Sequence, residues 1–197
     1  MIRILHSLPL FWALMLWPAF HVTRGLVQSG WYVPEMLHVS GVWSGILLVL
    51  TLSVTPLALL SGRMGHGAIG RWLIRRRRHL GLGAFVYAAL HVAHYLRDAG
   101  SVRVAVGEAA SLDFAAGWIG FALFLAMAVT SNDRSIRALG SRWKALHRWV
   151  YPAAGLIFLH WALLLTIEST LIVWAGLLVA AKALHVALRR RSRRVAA

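Results

Sequence analysis

Six stretches of this sequence are apolar for long enough to cross a hydrocarbon core, and no other feature constrains the fold as strongly. A core of about 30 Å takes roughly 17–25 helical residues at about 1.5 Å each. Runs that meet this lie at about 4–23, 39–60, 79–96, 114–131, 145–166 and 169–188. Of the 197 residues 59% are hydrophobic and 14% charged, which excludes an ordinary soluble domain, where about a quarter are charged. Disorder is excluded by the same apolar content. The expected fold is all-α, a six-transmembrane-helix bundle forming a single domain over 1–197, with a basic tail at 189–197. The first run follows Arg3 and sits where a secretory signal would. It is long and Trp-rich and lacks a small-x-small cleavage pattern before His21, so it is read as a retained helix. The third run is the least apolar, carrying Gly81, Gly83, His91 and His94, and a short turn around Glu168 and Ser169 divides the last two.

Six crossings put both termini, 61–78 and 132–144 on one side. That side carries Arg3, Arg63, Arg71, Arg75 to Arg78, Arg134, Arg137, Arg142, Lys144, Arg148, Lys182, Arg189 to Arg191, Arg193 and Arg194, and the other carries Arg24, Arg97 and Arg103. An 18 to 3 partition of Lys and Arg is the signature of a chain with both ends cytoplasmic. Five of six acids, Glu35, Asp98, Glu108, Asp113 and Glu168, fall outside, with Asp133 inside. The formal charge of +15 therefore reads as orientation and contact with anionic lipid; nucleic acid is not an expected partner. Cysteine is absent, which removes disulfides, thiolate metal sites, iron–sulfur clusters and Cys nucleophiles. No dinucleotide fingerprint, Walker motif or Gly-x-Ser-x-Gly elbow occurs. Chemistry here has to use bundle side chains and a cofactor.

Ionisable residues inside spans are costly and usually functional, so the ten histidines sort by depth. His66 lies in a Gly-rich loop, and His6, His21, His38 and His185 sit near span ends, where a ring reaches the interface. His91, His94 and His160 lie in the outer halves of the third and fifth spans, while His79 and His147 lie at their inner ends. Those two helices run in the same direction. His147 and His160 stand about 20 Å apart along one helix, two levels of one membrane crossing. On the neighbouring helix His91 matches the outer level and His79 the inner. Paired imidazoles without thiolates suit a haem iron held from both faces, whose task is then electron transfer. Thirteen residues turn an ideal helix about 220° beyond whole turns, so one partner for both His147 and His160 requires the kink or unwinding that Pro152 permits. His79 and His91 differ by about 120°, leaving His79 the weaker ligand. His94, one turn from His91, serves equally as alternative ligand or propionate partner. Trp12, Trp17, Trp43, Trp118, Trp161 and Trp174 are interface and packing residues. Arg75 to Arg78 anchor the cytoplasmic side, where one can also pair with a haem propionate or flavin phosphate.

Several stretches resemble one family. Ser40-Gly-Val-Trp-Ser-Gly45 with Thr51-Leu-Ser-Val-Thr-Pro-Leu57, Arg77-Arg-His-Leu-Gly-Leu82, Tyr87-Ala-Ala-Leu-His-Val-Ala-His-Tyr95, Thr130-Ser131, Leu139-Gly-Ser-Arg-Trp-Lys-Ala-Leu-His-Arg-Trp-Val-Tyr151 and His160-Trp161 are similar, in order, to the MsrQ (YedZ) family. Its members are haem-binding membrane subunits of periplasmic methionine sulfoxide reductase systems, within the wider ferric-reductase-like transmembrane proteins. The resemblance implies haem b, one or two per chain, on His91, His147 and His160; it adds nothing for His79. It also implies electrons drawn from quinone or a flavin donor, FMN as a further cofactor, and delivery to a periplasmic molybdopterin enzyme of the MsrP kind. The chain is then an electron-transfer subunit of the bacterial inner membrane rather than the catalytic one, without the FAD and NADPH domain of the wider relatives. Two rivals stand beside it: a stand-alone ferric or quinone-linked reductase, and a histidine-lined proton or metal transporter. Against the transporter, no acid lies at midplane and no repeated broken helices occur.

Overall fold

The computed structural model describes residues 7–29, 33–164 and 169–195. Arg3, His6, Glu168 and residues 196–197 lie outside them. Among the described residues there are nine α-helices and no strand: α1 Leu8–Ser29, α2 Val33–Arg63, α3 Gly67–Asp98, α4 Val102–Glu108, α5 Leu112–Val129, α6 Asp133–Leu139, α7 Ser141–His147, α8 Val150–Leu164 and α9 Ser169–Val195. Two of these, over Glu35–Arg63 and Leu112–Val129, are long and apolar enough to cross a membrane, and Leu8–His21 and Val173–Leu188 are shorter apolar segments.

Helices α2 and α3 form an antiparallel hairpin whose turn is only three residues. Gly65 takes φ +77 there, and His66 N–H closes it on the Ser61 carbonyl at 2.8 Å. Helix α3 begins at Gly67, so Arg71 and Arg75 to Arg78, expected in a loop, are helical. Arginine is a good helix former. Thirty-two residues make a rod of about 48 Å, whose first three turns carry the basic run. The 132–144 loop is likewise two short helices. Asn132 caps α6, its side chain accepting from Ser135 N–H at 2.8 Å, and Gly140 at φ +51 separates α6 from α7.

The other departure is in the fifth expected span. It is not one helix: α7 ends at His147 and α8 starts at Val150. Pro152 has no N–H, so it fits the first turn of a helix better than an interior, and the chain restarts just ahead of it. His147 and His160 thus sit on different helices.

Helix α2 packs along α3 and against α9, α5 packs on α8, and α3 reaches across to α5. The shared core joins Met15 and Ala19 of α1, Leu48 and Leu52 of α2, Ala84 and Tyr87 of α3, Phe124 and Met127 of α5, and Ala153 and Ala154 of α8. Small residues let the helices close: Ser44 Oγ donates to the Ala84 carbonyl at 3.0 Å, and a β-carbon at Gly83 would lie 2.4 Å from the Met15 sulfur. Tyr87 is buried and stacks on Trp43. Its hydroxyl accepts from Ala19 N–H at 3.0 Å and donates to the Met15 carbonyl at 2.9 Å. It therefore sits in a rung of the α1 ladder beside Pro18. A proline disturbs the preceding turn, and an inserted hydroxyl satisfies the groups that it separates.

Candidate functional site

Two cavities open between the helices, one near each end of the bundle. The outer one, about 570 Å³, is walled by α2, α3, α5 and α8, with Tyr95, Phe114, Trp118, Phe121, Phe124 and Trp161 supplying aromatic surface. Its volume falls within the range of cofactor sites, and a largely apolar wall with few polar groups is their usual character. His91 of α3 and His160 of α8 both line it, with ring centres 6.3 Å apart and planes at 85°.

Both rings are fixed in the same way. His91 Nδ1–H donates to the Leu37 carbonyl of α2 at 2.9 Å, and His160 Nδ1–H donates to the Asp113 carbonyl of α5 at 2.7 Å. A bound Nδ1 proton leaves the Nε2 lone pair available as a ligand. Two imidazoles sharing one metal, each at about 2 Å from nitrogen to metal, have centres about 6 Å apart, which the observed separation accommodates. Among the described residues no group of three His, Cys, Asp or Glu side chains gathers to hold a bare ion. The pair therefore suits a metal whose remaining ligands come with it, as in a haem macrocycle.

The inner cavity, about 540 Å³, lies between α2, α3, α5, α7 and the start of α8. Its histidine is His147, and its polar wall is cationic: Arg77, Arg78, Lys144 and Arg148. His147 stacks on Trp143 with centres 3.9 Å apart, and Trp143 Nε1–H donates to the Thr130 carbonyl at 2.9 Å. Thr130 Oγ1 donates to the Ala126 carbonyl at 2.7 Å, and His147 Nε2 lies 3.2 Å from that oxygen. With the hydroxyl proton spent on Ala126, Oγ1 accepts from Nε2–H. Arg78 also pairs with Asp133 at 2.5 Å. That bond holds the Asp133 carboxyl below the usual carboxylate range.

The remaining sequence candidates fall elsewhere. His79 turns to α1, edge-on to Trp12 at 5.8 Å and Phe11 at 6.5 Å, its Nδ1 buried without a hydrogen-bond partner among the described residues, and it lines neither cavity. His94 is buried one turn beyond His91 and off the outer cavity wall. His38, read from the sequence as an interface residue, and Asp98 and Glu108, read only as outside acids, line the exposed mouth of the outer cavity, with Tyr95 donating to Glu108 at 2.7 Å, and Gly41 and Gly117, which sequence reasoning passed over, lie under the two imidazoles. Only the packing of α2, α3, α4 and α5 around one cavity reveals them.

The architecture is that of an all-helical bundle with paired histidines in an aromatic cavity. A family model described as the ferric reductase like transmembrane component matches residues 38–158, a span that includes His91 and His147 and ends two residues before His160. The chain belongs to this ferric-reductase-like transmembrane family, and is similar to its MsrQ members. The protein-methionine-sulfoxide reductase heme-binding subunit MsrQ of Azospira oryzae is 36% identical over 157 residues, covering 75% of this chain and 64% of that protein. Those of Bordetella pertussis and Bordetella bronchiseptica are 37% identical over 126 residues, 61% of this chain and 57% of theirs. The chain thus spans less than two thirds of the length of these relatives. No solved structure matches it significantly.

Proposed function

We propose that this chain is a haem-binding electron-transfer subunit of the bacterial inner membrane, serving a methionine sulfoxide reductase system. The observation that carries the reading is the facing pair His91 and His160, each held by Nδ1 on a helix carbonyl inside an aromatic cavity. The MsrQ relatives support the same conclusion. Haem b bound there supplies a one-electron couple between ferric and ferrous iron. His91 and His160 would hold the iron between them and leave no ligand position for oxygen or small substrates, while the aromatic wall would cover the macrocycle. With one or two haems per chain, His147 would hold the second, and Arg77, Arg78, Lys144 and Arg148 would offer charge-assisted bonds to its propionates or to the phosphate of FMN. His79 and His94 are the weaker ligand candidates, one facing α1 and the other off the cavity wall.

In this reading six helices cross the membrane with both termini cytoplasmic, as the 18 to 3 distribution of basic residues supports. Electrons enter on the cytoplasmic side from quinone or a flavin donor and leave on the outer side to a periplasmic molybdopterin enzyme of the MsrP kind. The test is the visible spectrum and pyridine-haemochrome stoichiometry of protein purified after expression with haem supply. The expected result is a reduced α-band in wild type that falls by one haem equivalent in His91→Ala and in His160→Ala, with a separate equivalent lost in His147→Ala. A wild-type protein without a Soret band overturns the proposal, and full retention in both outer variants overturns the ligand assignment.

A further inference from the structure

The two outer imidazoles rest on one device used twice. Leu37 and Gly41 are four residues apart on α2, and Asp113 and Gly117 are four apart on α5. In an α-helix the carbonyl of residue i already accepts from the N–H of residue i+4, and its second lone pair faces outward past that same residue. A side chain at i+4 leans towards the helix N-terminus and covers this lone pair. Glycine leaves it open. At position 41 a β-carbon would lie 3.0 Å from His91 Nδ1 and 3.1 Å from Cε1; at position 117 it would lie 2.8 Å from His160 Nδ1, 2.9 Å from Cε1 and 3.2 Å from Cγ. Ordinary contacts of a β-carbon with a ring begin near 3.4 Å. The Nδ1 bonds to Leu37 and Asp113, at 2.9 and 2.7 Å, thus form across the ground that a methyl group would occupy.

We infer that Gly41 and Gly117 are positioning residues that seat His91 and His160 on helix carbonyls, and thereby set the tautomer and donor strength of both ligands. The inference rests on the proposed haem at this pair. A carbonyl partner on Nδ1–H makes Nε2 a stronger donor. A stronger donor stabilises the ferric form more than the ferrous, so the cradles hold the outer potential down. Neither glycine touches the iron. Alanine at either site pushes the ring off its carbonyl, weakening haem retention and raising the potential of what remains. The closer approach at 117 makes it the more sensitive position. Gly155 of α8, where a β-carbon would meet no described atom within 4 Å beyond its own stretch of helix, is the matched control without a ring beside it.

The experiment uses full-length protein purified with haem in detergent. Gly41→Ala, Gly117→Ala and Gly155→Ala are compared with wild type by haemochrome stoichiometry and by redox titration of the α-band, with circular dichroism melting as the readout of folding. A second measurement needs no variant: nitrogen-15 histidine NMR of the reduced, diamagnetic wild-type holoprotein. The expected result is at least a tenfold shift of the one-electron equilibrium towards ferrous iron, about 59 mV, or a tenfold loss of outer haem, in each cradle variant, no change in Gly155→Ala, and two exchange-protected Nδ1 protons in wild type. Folded cradle variants with wild-type stoichiometry and potential overturn the inference alone. If those variants do not fold, rapidly exchanging Nδ1 protons in wild type overturn it instead. Wild type without haem overturns the underlying reading and this inference with it.

Discussion

In the outer cavity two imidazoles give Nδ1–H to helix carbonyls and keep Nε2 for the cavity; in the inner cavity one imidazole stacks on Trp143 and has Nε2 on Thr130 Oγ1. The outer histidines emerge from continuous helices, α3 and α8, whereas His147 is the last residue of the short α7, at the break before α8. Charge divides them too, with acids Asp98 and Glu108 at the outer mouth and four cations around the inner wall. The lesson is that one residue type serves two designs. Continuous helices and backbone acceptors hold one pair of rings with Nε2 turned to their cavity, while at the break between α7 and α8 a single ring, among cations, is engaged with a neighbouring hydroxyl.

The sharpest way to break this comparison is ligand removal. His91→Ala or His160→Ala is expected to weaken outer haem retention by more than about 100-fold, since loss of a mere supporting partner already costs about 10–100-fold, and to leave the inner spectrum unchanged; haemochrome analysis of each variant checks it. Lys144→Gln with Arg148→Gln is next. These side chains are exposed, so each pairing is worth about 0.2–1 kcal/mol and is screened by salt. Inner haem affinity is expected to fall up to roughly 30-fold at low ionic strength and less at high, with the outer site indifferent, as read by haem titration at two salt concentrations. Thr130→Val acts in the opposite direction. It removes an acceptor that competes for His147 Nε2, and a hydrogen bond of about 1 kcal/mol predicts roughly fivefold tighter inner haem binding.

The smallest effect concerns the tie between α3 and α6. Hydrogen bonding to Arg78 lowers the Asp133 pKa in the folded chain, so its contribution is present above the unfolded carboxylate value, about 3.9, and is lost as pH falls through the lower folded value. Limited proteolysis within 131–141 is expected to stay constant from neutral pH to about pH 5 and to rise below about pH 4. Asp133→Asn should show the acid pattern at all pH values.

That His91 and His160 fall at one level of the bundle was legible in the sequence, because helical rise converts residue number directly into distance along a helix. The side on which the cations cluster was legible for the same reason. Rotation about each helix was harder. His79 matched the inner level yet faces Phe11 and Trp12, because its phase points to α1 rather than α5. The break at 148–149 follows from Pro152, whose presence was plain but whose outcome, kink or restart, depends on how α7 packs on the Thr130 end of α5. Gly41 and Gly117 carried no local signal: each matters for a carbonyl on its own helix and a ring on another, a relation that exists only after packing. The helicity of 67–78 was missed by treating a basic run as a loop, when arginine continues a helix into water as readily as it ends one.

Tyr87 gives the first helix a mechanical role. A proline at 18 would make α1 a rod with a soft joint, yet the phenol bridges Met15 and Ala19 at that joint. Residue 87 stands one turn from His91 on α3. Bending of α1 is therefore not free: it must either break two buried bonds or drag the segment of α3 that carries His91. The phenol works as a stiffener, and through it the placement of His91 depends on a helix outside the wall of its cavity.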